Sequence, residues 1–248
     1  MQGRLRLTDM ALSLVGGKAG LEIGGPSNVF REHGGRLSRG ILPIYDHVGS
    51  LDNCDFSSDT VWATHRDSYV FSECKAPGRN IFCDASDLSP VADQSYDFVL
   101  SSHNLEHFAN PVRALQEWKR VTRPNGGLIL VLPDYRRTFD HRRPVTKVEH
   151  MLQDYRSNMG EDDLSHLPEI LALHDLSLDP PAGTPEQFRE RSENNFLNRC
   201  IHHHVFDENN SRELLSSVGI EVLAVELAGP IHIFIIGRFP SDRLTREH

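Results

Sequence analysis

No apolar run in the sequence approaches the ~20 residues needed to cross a bilayer, which argues against a membrane-spanning helix. The opening residues, Met1-Gln2-Gly3-Arg4-Leu5-Arg6, lack the apolar stretch of a secretory signal. Cysteine is sparse. Cys54, Cys74, Cys83 and Cys200 form no C-x-x-C pair, so neither a zinc finger nor a disulfide scaffold is expected, and reduced thiols in a cytoplasm are. Positive charge is also short: 26 Lys and Arg stand against 35 Asp and Glu, and the net charge of −9 argues against a nucleic-acid substrate. There is no internal repeat and no low-complexity tract. The remaining composition, 38% hydrophobic and 25% charged over 248 residues, is that of a globular chain able to bury a core without staples. Histidine is abundant, with 14 residues.

Short apolar runs alternate with helical patterns. Residues 5–18 read as a helix with Thr8 as its N-cap. Strands follow at 20–25, 48–52, 80–84 and 96–101, the first ending in glycines and the next two in acids. Asn110-Pro111 starts a helix, with Asn as cap and Pro at the first helical position. Leu115, Trp118 and Val121 continue it at helical spacing, and residues 123–127 stop it. A fifth strand spans 128–132. Residues 138–206 then break the pattern: they are polar and His-rich, with helical pieces at 148–155 and 164–173 and no strand. A helix over 207–218 and two strands over 220–227 and 231–239 close the chain. The short link Ala228-Gly229-Pro230 makes those two strands an antiparallel hairpin. The fold class expected is α/β, a doubly wound Rossmann-like seven-stranded sheet with its last hairpin antiparallel and a helical insertion between strands five and six. One domain over 1–248 is expected, with 138–206 as an insertion or cap within it.

In an open α/β sheet a ligand sits outside the carboxyl ends of the strands. The segment Glu22-Ile23-Gly24-Gly25-Pro26-Ser27 occupies that place after the first strand, where glycines let a ligand approach the backbone. It does not match G-x-G-x-x-G, which argues against a dinucleotide pyrophosphate. Asp52 is placed at the end of the second strand, with Asp46 as competitor; a carboxylate there can accept from both hydroxyls of a ribose. Asp84 ends the third strand and can accept from an adenine amino group.

Four segments in this order resemble the class I S-adenosylmethionine-dependent methyltransferases of the type-11 group. They are Leu21-Glu22-Ile23-Gly24-Gly25, Cys83-Asp84-Ala85-Ser86-Asp87-Leu88, residues 95–107 ending in Leu105-Glu106-His107, and Arg120-Val121-Thr122-Arg123-Pro124-Asn125-Gly126-Gly127. The resemblance covers residues 18–134 and 202–239. It implies S-adenosyl-L-methionine as cofactor. It also implies Glu22, Gly24, Gly25 and Pro26 around the methionine part, Asp46 or Asp52 on the ribose, Asp84 and the Ala85 backbone at adenine, and Ser101 and Ser102 toward the sulfonium.

The acceptor is expected to be a small polar molecule, a sugar or glycan-precursor hydroxyl. The polar groups of the insertion and its borders suit hydroxyl-rich ligands: His141, Arg142, Arg143, His174, Asn194, Asn195, His202 and His204. A hydroxyl acceptor needs a base, for which His103 ranks first on position, then His202 and His174. Neither nucleic acid nor membrane insertion is expected, and no metal site is assigned. Two rival readings stand beside this one: a non-catalytic cofactor-binding protein on the same fold, and a zinc hydrolase. The second rests on His103-Asn104-Leu105-Glu106-His107, which satisfies H-x-x-E-H but would need a continuous helix. In a strand His202 and His204 would share one face, but no third metal ligand accompanies them at recognisable spacing.

Overall fold

A computed structural model describes residues 5–32, 40–57 and 68–241. Helix α1 (Thr8–Val15) precedes strand β1 (Ala19–Ile23). Thr8 is the first helical residue rather than the cap; its hydroxyl donates to Leu5 O. Strands β2 (Ser50–Asp55), β3 (Asn80–Phe82) and β4 (Tyr96–Ser102) follow, then α2 (Pro111–Val121) and β5 (Thr122–Pro133). Asn110 caps α2 by accepting from Arg113 N, with Pro111 at the first turn. The residues expected only to stop α2 are already part of β5.

Residues 138–206 carry α3 (Val148–Arg156), α4 (Leu167–Leu173), α5 (Pro185–Glu193) and α6 (Asn195–Asn198), and no strand. Helix α7 (Glu208–Ser217), opened by an Asp207 and Asn210 capping box, leads to β6 (Glu221–Ala228) and β7 (His232–Arg238). The sheet order is β3-β2-β1-β4-β5-β7-β6. The first five strands are parallel, and β7 pairs antiparallel with both β5 and β6.

Alternation along the strands loads both faces of the sheet, as helices on either side require. On β5, Leu128, Leu130 and Leu132 pack with Trp118 of α2 and Leu214 of α7, while Ile129 and Val131 pack with Ala11 and Val15 of α1. A third, smaller cluster of Ile170, Ala182, Phe188 and Ile201 lies within the insertion. The insertion therefore has an apolar centre of its own. No helix among the described residues is long and apolar enough to cross a membrane.

Candidate functional site

The site forms at the carboxyl ends of β1, β2, β3 and β4. After β1 the chain turns at Gly24 with φ +68°, a conformation that favours glycine. A Cβ at Gly24 would fall 2.2 Å from Asn104 Oδ1. Asn104 holds the turn by donating to Ile23 O and Ser102 O at 2.8 and 2.9 Å. Gly25 N–H donates to Asn53 Oδ1 at 2.9 Å.

Glu22 lies fully buried beneath this turn. Tyr45 Oη donates to its carboxylate at 2.7 Å, Tyr69 Oη donates to the other oxygen, and Ser27 N–H donates at 3.3 Å. Burial pushes Glu22 up to about 7, against the lowering effect of the hydrogen bonds from Tyr69, Tyr45 and Ser27. Glu22 thus ties the glycine turn to two tyrosines. Ser27 Oγ donates to Ser102 Oγ at 3.1 Å, joining the β1 and β4 ends. Ser101 is buried, and its hydroxyl has no hydrogen-bond partner among the described residues.

Neither acid expected at the end of the second strand is there. β2 runs three residues past Asp52. Asp52 sits mid-strand and is taken by Arg79, at 2.7 Å from Nη2, and by Tyr96 Oη at 2.8 Å. Asp46 lies in the short 3-10 turn Tyr45–His47 and accepts from Ser72 Oγ. The acid that ends β2 is Asp55. It lines a shallow cleft with Gly25, Pro26, Asn53, Tyr69 and Asn80. Asn53 Nδ2 donates to Asp55 at 2.8 Å, and burial raises the carboxyl above its ordinary value. The clue in the sequence was strand length: 50–55 is an unbroken run once Asn53 and Cys54 are allowed into the strand.

Past β3, Asp84 accepts from Ser86 N–H and Oγ at 2.8 and 2.7 Å, and from Arg199 Nη2 at 3.1 Å. Ala85 O accepts from Trp118 Nε1 at 3.1 Å, which fixes the loop on α2. Arg199 belongs to the insertion, where it also pairs with Glu161 at 2.7 Å and lies over the ring of Phe56. The insertion is thereby clamped across the ends of β2 and β3, a contact the sequence did not announce.

The candidate bases behave differently from one another. His103, at φ +54° after β4, bonds through Nε2 to His232 Nδ1 at 2.7 Å. Burial, with His232 and His202 nearby, pushes it down to about 3. His174 is stacked on Phe139 with its Nε2 3.2 Å from Asp179, not paired with Asp175; burial lowers it. His202 Nδ1 is 2.6 Å from Asp140 Oδ2. Burial works to lower His202, but the Asp140 carboxylate outweighs it and the net direction is up. Arg143 is buried and donates to Asp140, Glu169 and His202 O, each at 2.9 Å, so it orders the dyad and does not face a ligand. His141 and Arg142 both engage Asp175.

The H-x-x-E-H segment is not a helix. Leu105–His107 is one 3-10 turn, and His103 faces His232 while His107 Nδ1 donates to Ile201 O at 3.0 Å. The helical pair of histidines that a zinc hydrolase of that type requires is absent from this segment.

The donor set fits one end of the expected cofactor: a carboxylate at the end of β2, beside the Gly25 backbone and Asn53, can accept from a ribose diol. Residues 46–130 match the methyltransferase domain family. No curated protein matches in sequence. Among solved structures, the chain is similar to a SAM-dependent methyltransferase from Methanosarcina mazei. The two share 17% identity at a TM-score of 0.50, covering 92% of this chain and 96% of that one. It is also similar to a protein from Bacillus halodurans C-125 described as a methyltransferase, with 13% identity and a TM-score of 0.50 over 94% of this chain and 97% of that one. At these identities the two structures speak for the fold. The chain thus has the class I methyltransferase fold, and its residues 46–130 are similar to the methyltransferase domain family, which implies S-adenosylmethionine as the methyl donor.

Proposed function

We propose that the protein methylates a hydroxyl group of a small polar acceptor, a sugar or glycan precursor, and that residues 138–206 form the cap under which the acceptor binds. S-adenosylmethionine supplies an electrophilic methyl group on a sulfonium. The protein's task is to hold donor and acceptor in line and to remove one proton. Asp55, at the end of β2, would accept from the ribose hydroxyls of the donor. The Gly24–Gly25 turn, held by Glu22, Tyr45 and Tyr69, shapes the wall beside the methionine part. With the donor bound, the chemistry it would supply is transfer of that methyl group to the acceptor oxygen with a neutral thioether as leaving group. His202 Nε2 takes the hydroxyl proton, while Asp140 holds the ring through Nδ1 and balances the imidazolium that forms.

The single observation that supports the hydroxyl reading is the Asp140–His202 pair at 2.6 Å, braced by buried Arg143. An acceptor nitrogen that arrives neutral has no need of it. His103, whose ring is turned to His232, lines the same region. A cytoplasmic setting accords with the four free cysteines, and the net charge of −9 accords with a partner other than nucleic acid.

The test is a screen of nucleotide sugars, glycans and polar metabolites with methyl-labelled donor, using wild type and His202→Ala. Label on an acceptor oxygen, with turnover reduced ~10²–10⁴-fold in the variant and donor affinity unchanged, is the expected result. Label on nitrogen, or full turnover in the variant, would overturn the reading.

A further inference from the structure

Four side chains outside the methyl-transfer site converge from three parts of the insertion. His150 and Asp154 lie one turn apart on α3, His166 immediately precedes α4, and His204 lies on the segment that returns to the sheet. Their ligand atoms all fall within 4.8 Å of one another. His150 Nε2 is 3.0 Å from His166 Nε2 and 3.5 Å from Asp154 Oδ2, and His204 Nε2 is 3.8 Å from Asp154 Oδ2.

We propose that His150, Asp154, His166 and His204 form a binding site for a divalent transition-metal ion of the zinc class, which fastens the insertion of this protein together. Zinc bound by nitrogen at ~2.0–2.1 Å in a tetrahedron sets its ligand atoms about 3.3 Å apart. The three separations bracket that edge. Three imidazoles and one carboxylate are a hard-to-borderline donor set of the kind zinc accepts.

Hydrogen bonding alone leaves the cluster unsatisfied. Asp154 is buried, yet its Oδ2 has no hydrogen-bond partner among the described residues, and His204 Nδ1 has none either. His204 Nε2 has only a 3.4 Å approach to Ala109 O. Two imidazole nitrogens meeting at 3.0 Å can share one proton, but nothing then serves the carboxylate oxygen beside them.

The four ligands complete a tetrahedron with no position left for substrate, so the site is structural rather than catalytic. Its effect is mechanical. It links α3, the start of α4 and residue 204, which lies two positions from His202. His150 is exposed, which gives an ion a path in from solvent. A second group, Glu106, His107 and His202, also lies within 4.8 Å. It is the competing location, and the test separates the two.

The full-length protein is freed of metal by chelation and titrated with zinc alone against a chromophoric competitor, and separately with cobalt. The expected result is one zinc per chain, visible bands of tetrahedral cobalt, and a rise in Tm on zinc binding. His166→Ala should weaken zinc binding about 100-fold or more and abolish the tetrahedral cobalt bands. His150→Ala, a surface change, should do the same and stands in if His166→Ala does not fold. Glu106→Gln should leave both readouts as in wild type. Failure of wild type to bind zinc stoichiometrically overturns the proposal. So does binding that survives in His150→Ala and His166→Ala, or that is lost in Glu106→Gln alone.

Discussion

Replacing Glu22 by glutamine removes a buried acid without changing its shape, and should flatten part of the pH dependence of stability. Glu22 has an ordinary value of 4.5 and is pushed to about 7 in the folded protein by burial, partly offset by the hydrogen bonds from Tyr69, Tyr45 and Ser27. The folded state therefore holds this proton through a range in which the unfolded chain has lost it. Its contribution to stability is full below the unfolded value and is lost as pH rises toward and through about 7. A displacement from 4.5 to about 7 corresponds to about 3 kcal/mol over the whole range. Between about pH 5 and about pH 8 the loss from this group is about 2–3 kcal/mol. Urea unfolding of wild type and Glu22→Gln at several pH values measures it. Glu106 and Glu161 are also raised to about 7 by burial, so wild-type stability alone does not isolate Glu22. The difference between the two proteins does. Its absolute size includes whatever the amide of the variant loses with Tyr45 and Tyr69, but its change with pH comes from the carboxyl. Wild type should lose stability relative to the variant as pH rises. Parallel curves would refute the reasoning and mean that Glu22 is ionised in the folded protein at all these pH values.

Asp55→Ala should weaken binding of the demethylated cofactor product by ~1–3 kcal/mol in calorimetry, through a lost charge-assisted hydrogen bond, while Asp52→Ala should leave it near wild type. Equal loss in both would return the ribose role to Asp52. Trp118→Ala should destabilise by ~3–5 kcal/mol in urea unfolding, because it empties the centre of one sheet face and leaves Ala85 O without its indole donor. Replacing residues 138–206 by a short linker should abolish turnover of the labelled donor; full activity would remove the acceptor-binding role of the cap.

Periodicity was enough for the sheet. β1, β4 and the second half of β5 are apolar runs flanked by turn residues, Asn110-Pro111 is a local start signal, and Ala228-Gly229-Pro230 is too short to allow anything but a hairpin. Those features depend on neighbours in the chain, and neighbours in the chain are what a sequence displays. The strand-end acid shows where that stops. Asp52 and Asp55 are both acids on one run, and only the register of β2 beside β1, with Leu21 opposite Asp52 and Ile23 opposite Cys54, decides which one reaches the cleft. Arg79 and Tyr96 then claim Asp52 from elements 27 and 44 residues away.

The histidines divide in the same way. His103, at the end of β4, could be placed from position alone. That its ring turns to His232 follows from the pairing of β7 beside β5, while the hold of Asp140 on His202 and the meeting of His150, Asp154, His166 and His204 are consequences of how the insertion folds back on itself. The pairs His150–His166, Asp140–His202 and His103–His232 join residues 16, 62 and 129 positions apart, and their charge, reach and protonation are set by burial and partners that exist only in the folded chain. The amino-acid order determined the strands, the helix that follows β4 and the methyltransferase resemblance; tertiary packing decided which carboxylate meets the cleft, which histidine has an acid behind it, and which side chains share a site.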